Sequence, residues 1–312
     1  MTTVLNMMGP KAGAAIAEAV PEVEVVDVVD GADDGEEPPD LHGEVLFAAW
    51  LGSPLYERLD EIGVQWMHLP GTGIDTWPRE LLVGRTVTCS RGVSAIPIAE
   101  FALAAMLAFE KRIPDVWLHE PPEQWNVDRL GELAGKTVGI VGLGGIGRAV
   151  AQRAIGFDMR VVAVRRSSER AGVDGVELVA DLDHLLTTAD HLVVAAPATP
   201  ATHRLLDAEA FAKVKPGVHL VNVARGALVD HDALRVALDD GRVALATLDT
   251  VDPEPVPAGH WLYEHPNVRL SAHVSWSSPK AFERITGAFI RNLRRYRAGE
   301  PLLDVIDVDE GY

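Results

Sequence analysis

The sequence predicts an α/β protein of two doubly wound parallel sheets, each covered by helices on both faces. Three observations carry this prediction. Apolar runs of strand length alternate with helical stretches along nearly the whole chain, as βαβ units do. A glycine-rich segment, VGLGGIG, stands directly between one such run and the next helix. The 312 residues, 47% of them hydrophobic, suffice for two domains with a core each, at roughly 100–200 residues per domain.

In chain order, Thr3–Asn6, Val23–Val29, Val45–Ala48, Val64–His68 and Thr86–Thr88 read as short buried strands, separated by helical stretches such as Lys11–Ala19 and Pro54–Asp60. From Ala12 to Glu57 there is no Lys or Arg while twelve acids fall there, several of them in DGADDGEEPPD (Asp30–Asp40), a segment that reads as a solvated loop. A long apolar helix follows, IPIAEFALAAMLAFEKR (Ile96–Arg112), and a domain hinge is placed near its start. The next segment, IPDVWLHEPPEQWNVDRLGELAG, bears Pro and Trp and reads as irregular.

From Lys136 a more regular series begins, with strand-like runs at TVGIV, RVVAV, HLVVAA, GVHLVNV, RVALATLD and NVRLS. Continuous apolar runs at this spacing imply a parallel sheet buried on both faces. The final helix, Pro279–Arg297, carries Arg291, Arg294, Arg295 and Arg297 on its later turns, where cations suit the negative end of the helix dipole.

Composition excludes several partners. With 46 acidic and 28 basic residues the formal charge is −18, which disfavours nucleic-acid phosphates and anionic lipid surfaces. The single cysteine, Cys89, allows no intrachain disulfide and no cysteine-based metal cluster, so no metal is expected and a reducing cytoplasm is. The N-terminus shows no charged start followed by an apolar signal core, and the longest apolar run, Phe101–Phe109, is too short to span a bilayer, so neither export nor a membrane is expected.

Gly142, Gly144 and Gly147 follow the run Lys136–Val141 and precede the helical stretch Arg148–Gly156, with Gly145 and Ile146 completing the loop. The first glycine permits a tight turn and the second lets a pyrophosphate approach the backbone. The third allows close helix–strand packing, and the helix start supplies oriented N–H groups, which together read as a dinucleotide loop of Rossmann type. The following strand, Arg160–Val164, ends where an NAD-selective site would carry an acid for the ribose 2′-hydroxyl. Here Arg165, Arg166 and Ser167 stand instead, two guanidiniums and a hydroxyl suited to a 2′-phosphate. NADP is therefore the expected cofactor, with NAD as the alternative.

Three segments make sense together. VNVARGALVD places Arg225 after one strand of this domain, LDTVDPEP places Glu254 after another, and LSAHVSW places His273 after a third. The crevice outside strand C-termini is where such sheets bind ligands, so an arginine, a carboxylate and a histidine could converge beside a nicotinamide. Hydride arriving at a carbonyl carbon builds negative charge on its oxygen. A proton donor there lowers the barrier, and a guanidinium positions and polarises the substrate. Gly71–Thr72–Gly73 form a turn whose amides can face an anion. Trp50 and Trp276 could shape the pocket around the substrate or simply pack.

The series VGLGGIGRAVA, AAPATPATHRLLD, KPGVHLVNVARGALVD, LDTVDPEPV and LSAHVSW resembles the D-isomer-specific 2-hydroxyacid dehydrogenase family, which includes glyoxylate/hydroxypyruvate reductases. LPGTGID and SRGVSAIPIAEFAL are similar to that family's substrate loop and linker helix. The resemblance implies two Rossmann-like domains with the active site in the cleft between them. Residues 1–96 and 275–312 would bind substrate and residues 97–274 the cofactor. It implies that Arg225 grips the substrate carboxylate, that His273 is the general acid for ketone reduction and that Glu254 orients its ring. Ala196, Pro197, Thr202, Val223, Ala224 and Asp249 would join His273 and the glycine loop around the cofactor, Asp249 at the nicotinamide carboxamide. The expected activity is NADPH-dependent reduction of a small 2-keto acid to the D-2-hydroxy acid. The alternatives are a D-3-phosphoglycerate or other D-2-hydroxyacid dehydrogenase using NAD, or a non-catalytic, nucleotide-sensing protein like the family's corepressors. The segment Trp117–Leu130 corresponds to the family's dimer arm, which implies a homodimer. The chain ends at Tyr312, so the regulatory domain appended to many phosphoglycerate dehydrogenases is not expected.

Overall fold

Parallel pairing organises the chain into two sheets, and the apolar runs are their strands. The computed structural model describes residues 1–28, 40–49, 52–166 and 171–311. The strands are β1 (Thr3–Asn6), β2 (Glu24–Asp27), β3 (Val45–Phe47), β4 (Trp66–Leu69), β5 (Thr86–Cys89), β6 (Thr137–Val141), β7 (Arg160–Val164), β8 (Val176–Val179), β9 (His191–Val194), β10 (Val218–Asn222), β11 (Val243–Leu248) and β12 (Val268–Leu270). The helices are α1 (Pro10–Ala19), α2 (Leu59–Ile62), α3 (Arg79–Leu82), α4 (Ala95–Lys111), α5 (Gly145–Ile155), α6 (Leu182–Thr188), α7 (Ala208–Lys213), α8 (His231–Asp239) and α9 (Ala281–Arg297). The acidic segment falls largely on residues 30–39, outside the described residues.

One compact unit joins Met1–Val93 to Ser278–Tyr312. Its five-stranded sheet has the order β2-β1-β3-β4-β5. β3 and β4 are buried at every residue, which is why their sequences run apolar without alternation. Phe289 of α9 seals one face, stacking on Phe47 at 4.3 Å and on Trp66 at 5.4 Å between ring centroids. The arginines at the end of α9 have partners: Arg294 donates to the carbonyl of Ala19, and Arg297 pairs with Glu22 at 2.8 Å. The helix expected over 54–60 is a 3-10 turn, Pro54–Arg58, begun by the Ser53 hydroxyl capping Leu55 N–H, and it leads into the short α2. Inside this unit His68 is fully buried, its Nδ1 2.7 Å from Thr88 Oγ1 and its Nε2 3.1 Å from Ser90 Oγ.

The other unit, Ser94–Ser277, holds a seven-stranded sheet of order β12-β11-β10-β9-β6-β7-β8. All its pairings are parallel, and the order reverses between β6 and β9, the switch point at which Rossmann sheets bind ligands. β6, β9 and β10 are buried throughout. β8 is a strand that the sequence reading did not anticipate. It sits at the sheet edge, half-exposed, and its VELV lacks the apolar continuity of the others.

The stretch after α4 is an excursion pinched at its base. Gly131 N–H donates to the carbonyl of Glu110 at 2.9 Å, and Lys111 Nζ donates to the carbonyl of Gly131 at 2.7 Å. Trp117, Leu118 and Trp125 on the excursion are exposed. The Glu110 carboxylate is itself buried, bonded to Lys136 at 2.5 Å and 3.0 Å from His191 Nε2. His191 Nδ1 meets His219 Nδ1 at 3.2 Å, and His219 Nε2 meets Thr247 Oγ1 at 3.0 Å.

Candidate active site

The glycine loop follows β6 and opens α5, and its three glycines meet different surroundings. Gly142 has φ +95, and a β-carbon there would stand 2.6 Å from the backbone of Ala196 beyond β9. At Gly147 a β-carbon would collide with the Gly142 carbonyl oxygen, so the helix can sit close to the strand only with glycine. Gly144 faces open space, with nothing within 4 Å of such an atom. It is also the N-cap of α5 and has no side-chain cap, so the first N–H groups of an eleven-residue helix are presented at an uncovered backbone. This cradle fits a dinucleotide pyrophosphate, with Gly145 and Ile146 supplying the first-turn amides. Across the switch point Ala196 and Pro197 leave β9, where the Thr202 hydroxyl donates to the Pro197 carbonyl at 2.7 Å and fixes that loop.

Arg225 lies just past β10, after the buried Val223 and Ala224. Asn222, fully buried at the strand's last residue, orders the turn. Its Nδ2 donates to the carbonyl of Arg225 at 2.9 Å and its Oδ1 accepts from Ala224 N–H at 3.1 Å. Gly226 admits no side chain, because a β-carbon would overlap the backbone of Val251 and Asp252. The arginine turn is thereby packed against the loop that carries Glu254. Sequence reasoning missed Asn222, although an asparagine at the end of an otherwise apolar strand was a visible signal of side-chain work.

Glu254 and His273 meet directly, Oε2 to Nδ1 at 2.8 Å. Oε1 of the same carboxylate accepts from Val251 N–H at 3.0 Å, which fixes its orientation. Burial opposes ionisation of Glu254. The hydrogen bonds from His273 and Val251 and the charges of His273 and Arg225 outweigh it and hold the carboxyl below the usual carboxylate range. Two of the three expected residues, Arg225 and His273, thus act on the carboxylate of the third. A carboxylate can only accept here, so Nδ1 carries a proton and Nε2 is the ring nitrogen left for a substrate.

Asp249 organises the histidine loop. It is 1% exposed, and its Oδ1 accepts from the Ser271 hydroxyl at 2.6 Å and from Val274 N–H at 2.9 Å, while Oδ2 accepts from Ser275 N–H at 3.0 Å. Its own carbonyl accepts from His273 N–H at 2.9 Å. The loop so wrapped holds His273 at φ +53, a left-handed conformation uncommon outside glycine. The sequence reading assigned Asp249 to the cofactor; the structure adds that it holds the histidine.

Arg165 and Arg166 stand at the exit of β7, the first half-buried and the second exposed. Ser167 and Trp50 lie outside the described residues. Trp276 is half-buried and packs on the core beneath β6 and α4. Gly71, Thr72 and Gly73 form a bend directly after β4 in the first unit, with Thr72 exposed.

Comparison with known proteins agrees with this architecture. Residues 103–275 match the family profile described as D-isomer specific 2-hydroxyacid dehydrogenase, NAD binding domain. The chain is 42% identical over 217 residues to D-3-phosphoglycerate dehydrogenase of Mycobacterium tuberculosis, covering 68% of this chain but 41% of that protein. It is 35% identical over 226 residues to glyoxylate reductase of Thermofilum pendens, covering 70% of this chain and 66% of the other. The crystal structure of a D-isomer specific 2-hydroxyacid dehydrogenase from Xanthobacter autotrophicus, in complex with NADPH and MES, superposes with a TM-score of 0.83 at 27% identity, covering 100% of this chain and 99% of that one. The chain belongs to the D-isomer specific 2-hydroxyacid dehydrogenase family. It spans about two fifths of the length of the mycobacterial phosphoglycerate dehydrogenases it matches.

Proposed function

We propose that the protein reduces a small 2-keto acid of the glyoxylate or hydroxypyruvate kind to the D-2-hydroxy acid, taking hydride from NADPH, with NAD(H) as the alternative carrier. The observation that carries this reading is the 2.8 Å pairing of His273 with Glu254 under the charge of Arg225, on strand-end loops of a sheet that also bears the glycine cradle. The absence of an acid at Arg165 and Arg166 supports NADPH, and the NADPH-bound Xanthobacter structure is in keeping with it.

The nicotinamide, when bound, supplies the hydride. Gly142, Gly144, Gly145, Ile146 and Gly147 hold the pyrophosphate, and Arg165, Arg166 and Ser167 hold the 2′-phosphate. Arg225 binds the substrate carboxylate through paired N–H groups and polarises the ketone. His273 delivers a proton from Nε2 to the C2 oxygen as negative charge gathers there. Glu254 keeps Nδ1 protonated and the ring aimed. In oxidation the neutral ring takes the hydroxyl proton at Nε2. Residues 1–96 and 275–312 form the substrate domain in this reading, and residues 97–274 the cofactor domain. The exposed Trp117, Leu118 and Trp125 support a homodimer. No helix among the described residues is long and apolar enough to cross a membrane, which is consistent with the cytoplasmic location proposed here.

A second reading, a D-3-phosphoglycerate dehydrogenase, is favoured by the 42% identity to the mycobacterial relative. A spectrophotometric screen of NADPH and NADH against glyoxylate, hydroxypyruvate and the 2-keto form of 3-phosphoglycerate separates the two. Turnover of the first pair with NADPH supports the proposal. Turnover confined to the phosphorylated acid supports the second reading, and turnover of none removes both.

A further inference from the structure

We infer that Asn222 is a positioning residue that aims the Arg225 guanidinium at the substrate carboxylate; this rests on the role proposed for Arg225 above. Asn222 is the last residue of β10 and fully buried, so the polar atoms of its amide need partners within the protein. Its Oδ1 accepts from Ala224 N–H at 3.1 Å, and its Nδ2 donates to the carbonyl of Arg225 at 2.9 Å and to that of Thr250 at 3.4 Å. Only this orientation of the amide satisfies all of them, since an N–H needs an acceptor and two carbonyls need donors.

The guanidinium is tied to the same peptides. Arg225 Nη1 donates to the carbonyl of Ala224 at 2.8 Å, and Ala224 is the residue whose N–H Asn222 holds. The Arg225 carbonyl, which Asn222 also holds, accepts in addition from Leu228 N–H at 3.3 Å as the 3-10 turn Gly226–Leu228 begins. The chain before and after the arginine side chain is thus fixed by one amide. The bond to Thr250 extends the grip, because Thr250 stands between Asp249, which wraps the His273 loop, and Val251, whose N–H holds Glu254. Asn222 therefore sets the arginine against the pair that it works with. A guanidinium grips a carboxylate through parallel N–H groups, so a turn free to tilt loses substrate affinity. His273 and Glu254 keep their own bonds to Asp249 and Val251 when the amide is removed, so the loss falls on the substrate grip.

The test is steady-state kinetics with NADPH and glyoxylate or hydroxypyruvate, together with the NADPH dissociation constant from cofactor fluorescence. The proteins compared are the unmutated one, Asn222→Ala, Asn222→Ser, Arg225→Ala and the double variants. Serine fits inside the space of the asparagine and carries the test where the alanine variant does not fold. The single Asn222 variants should raise KM about tenfold or more, lower kcat less, and leave the NADPH constant within about threefold. In the Arg225→Ala background the same substitutions should change KM less than about threefold, which a merely structural role would not show. A KM that stays at the parent value in the single variants, the same factor in both backgrounds, or NADPH binding lost in parallel overturns the proposal alone. An Arg225→Ala protein with the KM of the parent, or a parent that turns over neither acid, overturns the reading of Arg225 and the proposal with it.

Discussion

Glu254 spans two partners with one carboxylate, His273 Nδ1 at 2.8 Å and Val251 N–H at 3.0 Å, so the acid is oriented by its own loop before it orients the imidazole. Glu254→Gln keeps the shape but removes the negative charge beside His273 Nδ1. The keto-acid reduction rate should fall on the order of 10- to 100-fold, with the cofactor dissociation constant unchanged. Parallel rate and binding measurements check this; a variant as fast as the parent contradicts it. The sign of the pH effect follows from the lowered carboxyl pKa. The stability that the pairing contributes is present above the ordinary carboxylate value and is lost as pH falls through the lower, folded value. Both side chains are more than a third exposed, so the contribution is small. Thermal melts of parent and variant should converge as pH falls through the carboxylate range.

Arg225 and His273 should fail in different ways. If Arg225 binds the substrate carboxylate as proposed, Arg225→Ala should raise KM as well as lower kcat, costing on the order of 100-fold or more in kcat/KM. His273→Ala should act mainly on kcat. Steady-state kinetics of the two variants would show the split, and similar profiles for both would mean that the roles are wrongly divided.

Asp249→Ala would strand the N–H groups of Val274 and Ser275 and the Ser271 hydroxyl, which now share one buried carboxylate. A loss of about 2–4 kcal/mol in stability is expected. Asp249→Asn, which turns an acceptor into a donor facing backbone N–H groups, should also slow turnover, since His273 is held at φ +53 by that loop. Denaturant melts and kcat would report both. Unchanged stability in the alanine variant would show that the loop holds itself.

The buried histidines predict how the protein meets acid. Burial, reinforced by the charge of Arg291, pushes His68 down to about 3. Burial likewise lowers His191 to about 4 despite the attraction of Glu110, and holds His219 well below its ordinary value. The geometry agrees, because two Nδ1 atoms at 3.2 Å need one ring to donate and the other to accept, which a doubly protonated pair cannot do. The unfolded chain takes up these protons near 6.5 and the folded one does not. Stability is therefore full above about pH 6.5 and declines below it, by up to about 1.4 kcal/mol per pH unit for each histidine. Urea melts across that range should show the slope. A flat profile would contradict the neutral assignment.

Much of this was legible in the letters because buried parallel strands are written as continuous apolar runs. β6, β7, β9, β10 and β11 coincide with TVGIV, RVVAV, HLVVAA, GVHLVNV and RVALATLD to within a residue or two at each end. β8 was not legible, since an edge strand exposed at Glu177 and Leu178 carries no such run. Glu254 and His273 could be named from their motifs and their pairing from the family resemblance, but the backbone geometry that makes the contact could not be read there. The contact depends on a left-handed backbone at His273 and on hydrogen bonds that Asp249 accepts from residues 22 to 26 positions on. The part played by Asn222 was hidden for the same reason: its partners become neighbours only once the turn after β10 has formed.

The central claim is that His273 donates the proton that completes reduction of a 2-keto acid. Its most direct test is the rate of NADPH oxidation by the unmutated protein and by His273→Gln, each with saturating glyoxylate or hydroxypyruvate. The account predicts steady turnover by the former and a kcat lower by about 100-fold or more in the latter, with NADPH still bound as tightly. A His273→Gln protein that turns over as fast as the parent, or a parent that oxidises no NADPH with either acid, would contradict it.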